Sequence, residues 1–112
     1  ETVCKIGTGF SDEDLKTIHA SLAPTEIAMP KSYYDHDTAP ATQPDVWFEP
    51  TMVWEVRTAD LSLSPVYRAG IDELGKGVSL RFPRFVRIRD DKAVEQATST
   101  EQVVEFYRRQ GN

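Results

Sequence analysis

Polar and apolar positions alternate most regularly in the stretch SLRFPRFVRIRDDK, Ser79 to Lys92. Leu80, Phe82, Val86 and Ile88 share one parity and Arg81, Arg87 and Arg89 the other, which predicts a long half-buried strand from Val78 to Arg89. Pro83 cannot donate a ladder hydrogen bond, and Arg84 and Phe85 fall on the wrong parities, so a bulge or bend is expected near Pro83. Upstream, MVWEVRT predicts a central strand from Met52 to Thr58. The chain is then expected to leave that strand between Asp60 and Pro65 and to turn between Gly70 and Gly77. Thr2 to Ile6 reads as a further β segment, broken by Gly7-Thr8-Gly9.

Two stretches carry the helical period instead. Ser11 suits an N-cap with Asp14 in the third helical position, and Leu15, Ile18 and Leu22 make a stripe that carries the helix to about Ser21. In TSTEQVVEFYRRQ, either Thr98 with Glu101 or Ser99 with Gln102 can form a capping box ahead of Val103, Val104, Phe106 and Tyr107. Between the first helix and the central strand, Ala23 to Pro50 contains five prolines and reads as a long irregular loop. The expected order is strand, helix, loop, strand, long strand, helix: mainly β with helices, and a three-stranded sheet with bare edges.

Length and composition change this picture little. A chain of 112 residues, 39% hydrophobic and 28% charged, is one soluble globular domain. No apolar run approaches the roughly 20 residues of a membrane span, and ETVCKIGTGF lacks the features of a secretory signal, so no membrane role is expected. A lone Cys4 excludes an internal disulfide and fits a reducing, intracellular setting. With only His19 and His36 beside it, no metal site is expected; the flanking carboxylates of Asp35-His36-Asp37 diverge in a proline-rich loop. Gly7-Thr8-Gly9 before a helix is not read as a phosphate cradle, because Asp12, Glu13 and Asp14 occupy the turn where a phosphate would sit.

Charge changes it more. The net charge is -5, yet Ser79–Lys92 holds Arg81, Arg84, Arg87, Arg89 and Lys92 against Asp90 and Asp91. An acidic body with one basic strip points to a dedicated anion-binding face, with a merely solvated strand as the alternative.

CKIGTGFSDEDL, VWFEPTMVWEVRTADLSLSPVY and KGVSLRFPRFVRIRDDK together resemble the C-terminal OB-fold region of replicative eukaryotic-type ATP-dependent DNA ligases. The resemblance spans nearly the whole chain, strongest over residues 4–15, 46–67 and 77–92 and weak through the proline-rich loop. It implies an OB-fold, a five-stranded Greek-key barrel, of which this chain supplies the last three strands plus helices. Residues 1–97 would form the partial barrel, and 98–112 the helix and tail that follow it. In the family two further barrel strands and an adenylation domain come first, so the chain is expected to be a fragment or to take its missing strands from another polypeptide. None of its five lysines stands in the K-x-D-G setting of the lysine that such ligases adenylate, so it should not ligate DNA alone.

The resemblance also implies roles. Arg89, Asp91 and Lys92 match the RxDK element that closes over ATP and meets its β- and γ-phosphates, with Asp91 orienting Arg89 or Lys92. Arg81 and Phe82 match positions that face the minor groove beside a nick, and Arg84 and Arg87 would meet backbone phosphates. Parity alone would put Phe82 in the core; the resemblance and the neighbouring Pro83 favour DNA. ATP and Mg2+, the latter held mainly by the adenylation domain, are the implied cofactors. Nicked duplex DNA, that adenylation domain and, through the full-length protein, a sliding clamp are the implied partners. The implied location is nuclear, with a mitochondrial form also open. Trp54 is read as core, and Tyr33, Tyr34 and Trp47 are not read as base-stacking residues. A non-catalytic nucleic-acid-binding OB module is the competing function, with a protein-interaction domain behind it.

Overall fold

The computed structural model describes residues 1–39 and 42–110. The predicted loop runs across residues 40 and 41 and the predicted tail ends in 111 and 112, which lie outside the described residues.

Helix α1 spans Asp12–Leu22. Its cap is reciprocal: the Asp14 amide donates to Ser11 Oγ at 3.0 Å and the Ser11 amide to Asp14 Oδ2 at 2.9 Å. Two orphan donors of the first turn are satisfied in this way. A 3-10 turn at Ala23–Thr25 leads to β1, Glu26–Ile27, which pairs antiparallel with β2, Trp47–Phe48. The supposedly irregular segment is therefore closed into a loop with its ends tied together. Tyr34 donates its hydroxyl to the Phe48 carbonyl at 2.7 Å, and the His36 ring lies 4.7 Å from Trp47. Strands of two residues are too short to show a period, which is why the sequence did not announce them.

The central element is one bent antiparallel ribbon. β3 (Trp54–Arg57) pairs with β6 (Arg84–Ile88), and β4 (Asp60–Ser64) pairs with β5 (Gly77–Arg81). The register runs on across the bend, with Arg57 opposite Arg84 and Asp60 opposite Arg81. The segment Asp60–Pro65, expected to leave the strand, is thus mostly strand; five registered pairs with β5 override the weak propensity of its serines. The long strand expected over Val78–Arg89 is interrupted at Phe82-Pro83, where the bend was anticipated, and Phe82 adopts φ 53°. At the same level Thr58 Oγ1 donates to the Arg81 carbonyl at 2.7 Å, pinning the other strand's corner.

A second irregularity resets the parity. Val56 opposes Phe85 but Glu55 opposes Arg87, so Val86 is the extra residue of a bulge. Phe85 therefore points inward, 3% exposed, and Val86, expected on the core face, is 42% exposed. Phe85 stacks on Phe10 at 4.6 Å, and Trp54 meets both rings edge-on at 5.2 and 5.5 Å.

The second apolar centre is built on Leu61, Ala69 and Val78, with Val3, Leu80, Val103 and Tyr107 packed against it. Between β4 and β5 a single helical turn, α2 (Ile71–Leu74), fills the expected Gly-rich turn. Helix α3, Thr100–Arg109, lies on β4 and β5 and buries Val104; of the two possible capping boxes, Ser99 with Gln102 forms. Thr2 to Ile6 is extended but makes no ladder. Its bonds go to separate partners: Arg68 and Ala69 donate to the Thr2 carbonyl, and Leu80 donates to that of Val3.

Candidate nucleic-acid interface

Arg81 and Phe82 stand at the ribbon's corner. Phe82 is 75% exposed, which excludes the core reading, and the Arg81 guanidinium lies 5.3 Å from its ring centroid. A bulky residue at positive φ is strained by about 1–2 kcal/mol relative to ordinary backbone, and here it presents an aromatic ring to solvent. Arg81 also pairs with Asp60 at 3.2 Å.

Arg84 and Arg87 project from the outer face of β6. Alternation along β3 puts Trp54 and Val56 inward and Glu55 and Arg57 outward, and directly opposed residues share a face. That face therefore carries Arg57 and Arg84 as one opposed pair and Glu55 and Arg87 as the next. Arg57 and Arg84 have no ion-pair partner among the described residues. Like charges directly opposed in a ladder are destabilising, so this pair is not there for the sheet. The stem of Arg84 is held by the turn before α1: Gly9, at φ 98°, leaves a Cβ position only 2.8 Å from Arg84 Cγ.

The strip ends in the turn beyond β6. Arg89 donates Nε to Asp91 Oδ1 at 2.9 Å and Nη2 to Asp91 Oδ2 at 2.8 Å, a planar two-pronged match. Arg89 Nη1 also reaches Glu55 Oε1 at 3.3 Å, the oxygen that accepts from Arg87 Nε at 3.1 Å. The hydrogen bond from Arg89 holds the Asp91 carboxyl far below the usual carboxylate range, and that same bond raises the Arg89 guanidinium above its ordinary value. Asp91 therefore sits on Arg89 and not on Lys92, which has no ion-pair partner among the described residues. Arg89 and Lys92 line the rim of a groove of about 650 Å³, together with Trp54, Asp60, Leu61 and Phe106.

Three arginines of the strip are thus ion-paired, but on the surface. Arg87 and Glu55 are 58% and 39% exposed. Exposed pairs of the Arg81–Asp60 and Arg87–Glu55 kind contribute about 0–1 kcal/mol, little enough for a phosphate to displace the carboxylate. Among the described residues no group of three or more His, Cys, Asp or Glu side chains could hold a metal ion. Among the described residues no helix is long and apolar enough to cross a membrane.

Comparison with known proteins decides the family. The model of the ATP dependent DNA ligase C terminal region matches residues 1–92. This chain belongs to that family. It is 60% identical over 112 residues to DNA ligase 1 of Saccharomyces cerevisiae, covering all of this chain and 15% of the relative. DNA ligase 1 of Schizosaccharomyces pombe is 57% identical over 112 residues, covering 98% of this chain and 15% of that protein. An archaeal DNA ligase, from Hyperthermus butylicus, is 44% identical over 117 residues, covering 98% of this chain and 18% of its own length. The chain thus spans about a sixth of the length of these ligases, and its mixed helices and antiparallel pairs are those of the ligase OB-fold C-terminal region.

Two residues of the ligase strip's surroundings were not picked out from sequence. Arg57 and Glu55 do alternate with Trp54 and Val56, so their outward direction was readable. Their partners, 27 or more positions away, were not.

Proposed function

We propose that this chain serves as the C-terminal OB-fold portion of an ATP-dependent DNA ligase that seals nicks in duplex DNA in replication and repair. Three steps make up the reaction. A lysine of the adenylation domain attacks the α-phosphorus of ATP and pyrophosphate leaves. The nick's 5′-phosphate then takes AMP from the lysine. Last, the 3′-hydroxyl attacks that 5′-phosphorus, forming the phosphodiester and expelling AMP.

In the first step the β- and γ-phosphates must be aligned and their growing charge neutralised. Arg89 suits this because its guanidinium is already held flat, in a two-pronged carboxylate contact whose shape a phosphate shares. Asp91 would yield the fork to the triphosphate, and Lys92 at the groove rim would add a mobile second charge. ATP therefore fits the residues present, whereas Mg2+ would be bound by the adenylation domain.

In the later steps the outer ribbon face would turn to the duplex. Phe82 would wedge into the minor groove with Arg81 beside it, drawn by that groove's negative potential. Arg84 and Arg87, with Arg57, would meet backbone phosphates, positioning the enzyme without reading sequence. The observation that carries this reading is an exposed aromatic at a strained corner, beside arginines and continuous with a face bearing a cation pair that has no ion-pair partner among the described residues. A nuclear location, the adenylation domain as an intramolecular partner, and a sliding clamp recruited by other parts of the protein complete the proposal.

The test separates the two ends of the strip in the complete ligase. Arg89→Ala and Lys92→Ala are expected to cut self-adenylation far more than sealing of a nick already carrying AMP. Equal losses in both assays would argue against the nucleotide role.

A further inference from the structure

The outer face of β3 and β6 carries Arg57, Arg84 and Arg87, with Arg89 at its end, and the one carboxylate of these two strands lies among them. That carboxylate, Glu55, is on β3, directly opposite Arg87. One of its oxygens, Oε1, accepts from two guanidinium groups at once, Arg87 Nε at 3.1 Å and Arg89 Nη1 at 3.3 Å. The two arginines are the ones assigned above to different anions, Arg87 to the duplex and Arg89 to the triphosphate. Arg89 has a second anchor in Asp91, while Glu55 is the ion-pair partner of Arg87 among the described residues.

We infer that Glu55 is a positioning residue that holds Arg87 back from the duplex until a correctly placed phosphate displaces it. The inference rests on the reading of this face as a duplex-binding surface. Without Glu55, Arg57, Arg84 and Arg87 would all be free to grip any polyanion they met, Arg89 remaining on Asp91. A carboxylate in their midst makes each new phosphate contact an exchange: one anion leaves Arg87 as another arrives, and the carboxylate left behind repels the backbone. Affinity for duplex in general falls, and the contact is retained mainly where the corner residues also engage. Such an exchange needs a weak, exposed pair, and both partners are well exposed here.

The experiment uses the complete ligase with nicked and intact duplexes of the same sequence, measuring binding across a salt series. Glu55→Gln keeps the shape and removes the charge. It is expected to tighten binding to both duplexes, most at low salt, and to reduce the preference for the nick. On the intact duplex, where Glu55 otherwise keeps Arg87 from the backbone, freeing one phosphate contact steepens the dependence of log K on log salt by about 0.9, so the variant's advantage there shrinks about 3.5-fold from about 50 to 200 mM salt. In an Arg87→Gln background the same substitution should gain nothing, and self-adenylation should stay unchanged because Asp91 still holds Arg89. Weaker binding together with slower adenylation and a lowered melting temperature would mark Glu55 as structural and overturn the inference. An undiminished gain in the Arg87→Gln background would also overturn it, since Glu55 would then act only through net charge. If Arg87→Gln weakens nick binding and Glu55→Gln fails to tighten it, the inference alone falls. If neither substitution moves duplex binding at any salt, the duplex-facing reading of the strand falls with it.

Discussion

Phe82 and Phe85 lie three positions apart in RFPRF and are expected to respond in opposite ways to truncation. Phe82 is 75% exposed, so only about a quarter of its ring, about 50 Å², is withdrawn from water, and losing it costs about 1 kcal/mol at about 25 cal/mol per Å². Its contact with Arg81 contributes at most about another 1 kcal/mol at so exposed a site. Against this, Phe82→Gly removes the penalty of about 1–2 kcal/mol for a side chain at φ 53°, offset by about 0.5–1 kcal/mol of added backbone entropy in the unfolded chain. The sum is within about 1–2 kcal/mol of zero. Phe85, 3% exposed and stacked on Phe10, should cost about 3–5 kcal/mol as Ala. The assay is hydrogen exchange of the β5 and β6 amides in the complete ligase, which reads local opening free energy without assuming that the whole enzyme unfolds as one unit. Alongside it, nick affinity and self-adenylation are measured. Phe82→Gly should leave amide protection nearly intact and adenylation untouched while nick binding drops. A loss of protection comparable to that of Phe85→Ala would refute the reasoning and return Phe82 to the core.

Gly9→Ala should be costly out of proportion to a single methyl: at φ 98° the new Cβ would collide with the Phe85 carbonyl and lie 2.8 Å from Arg84 Cγ. A loss of about 2 kcal/mol or more is expected, read as faster exchange of the Phe85 amide that donates to Thr8. The Asp91 carboxyl, held below the usual range by Arg89, should stay ionised in an NMR titration well below pH 4 and return to about 3.9 in Arg89→Gln. Because its folded value is depressed, the pair's contribution is present above the ordinary carboxylate value and is lost as pH falls through the depressed one; a midpoint near 3.9 in the unsubstituted protein would contradict the contact.

Features encoded by neighbours in the chain were legible in advance. The capping boxes at Ser11 and Ser99 need only residues three positions apart, and Pro83 announces its own break. What escaped depends on pairing across the fold. DLSLS becomes a strand because β5 is there to receive it, and nothing within those five residues says so. The inward turn of Phe85 and outward turn of Val86 follow from a bulge set by the register against Glu55 and Val56, which parity counting along one strand cannot foresee. The candidate site divides in the same manner. The arginines were visible as a run, but the opposed Arg57–Arg84 pair and the Glu55 oxygen shared by Arg87 and Arg89 join residues 27 to 34 positions apart.

That the outer face of β3 and β6 meets duplex phosphates is tested most directly by the salt dependence of nicked-duplex binding for the complete ligase and its Arg84→Gln, Arg87→Gln double variant. Two lost phosphate contacts should flatten the plot of log K against log salt by about 1.8, with self-adenylation unchanged. An unaltered slope, at whatever affinity, would contradict the account.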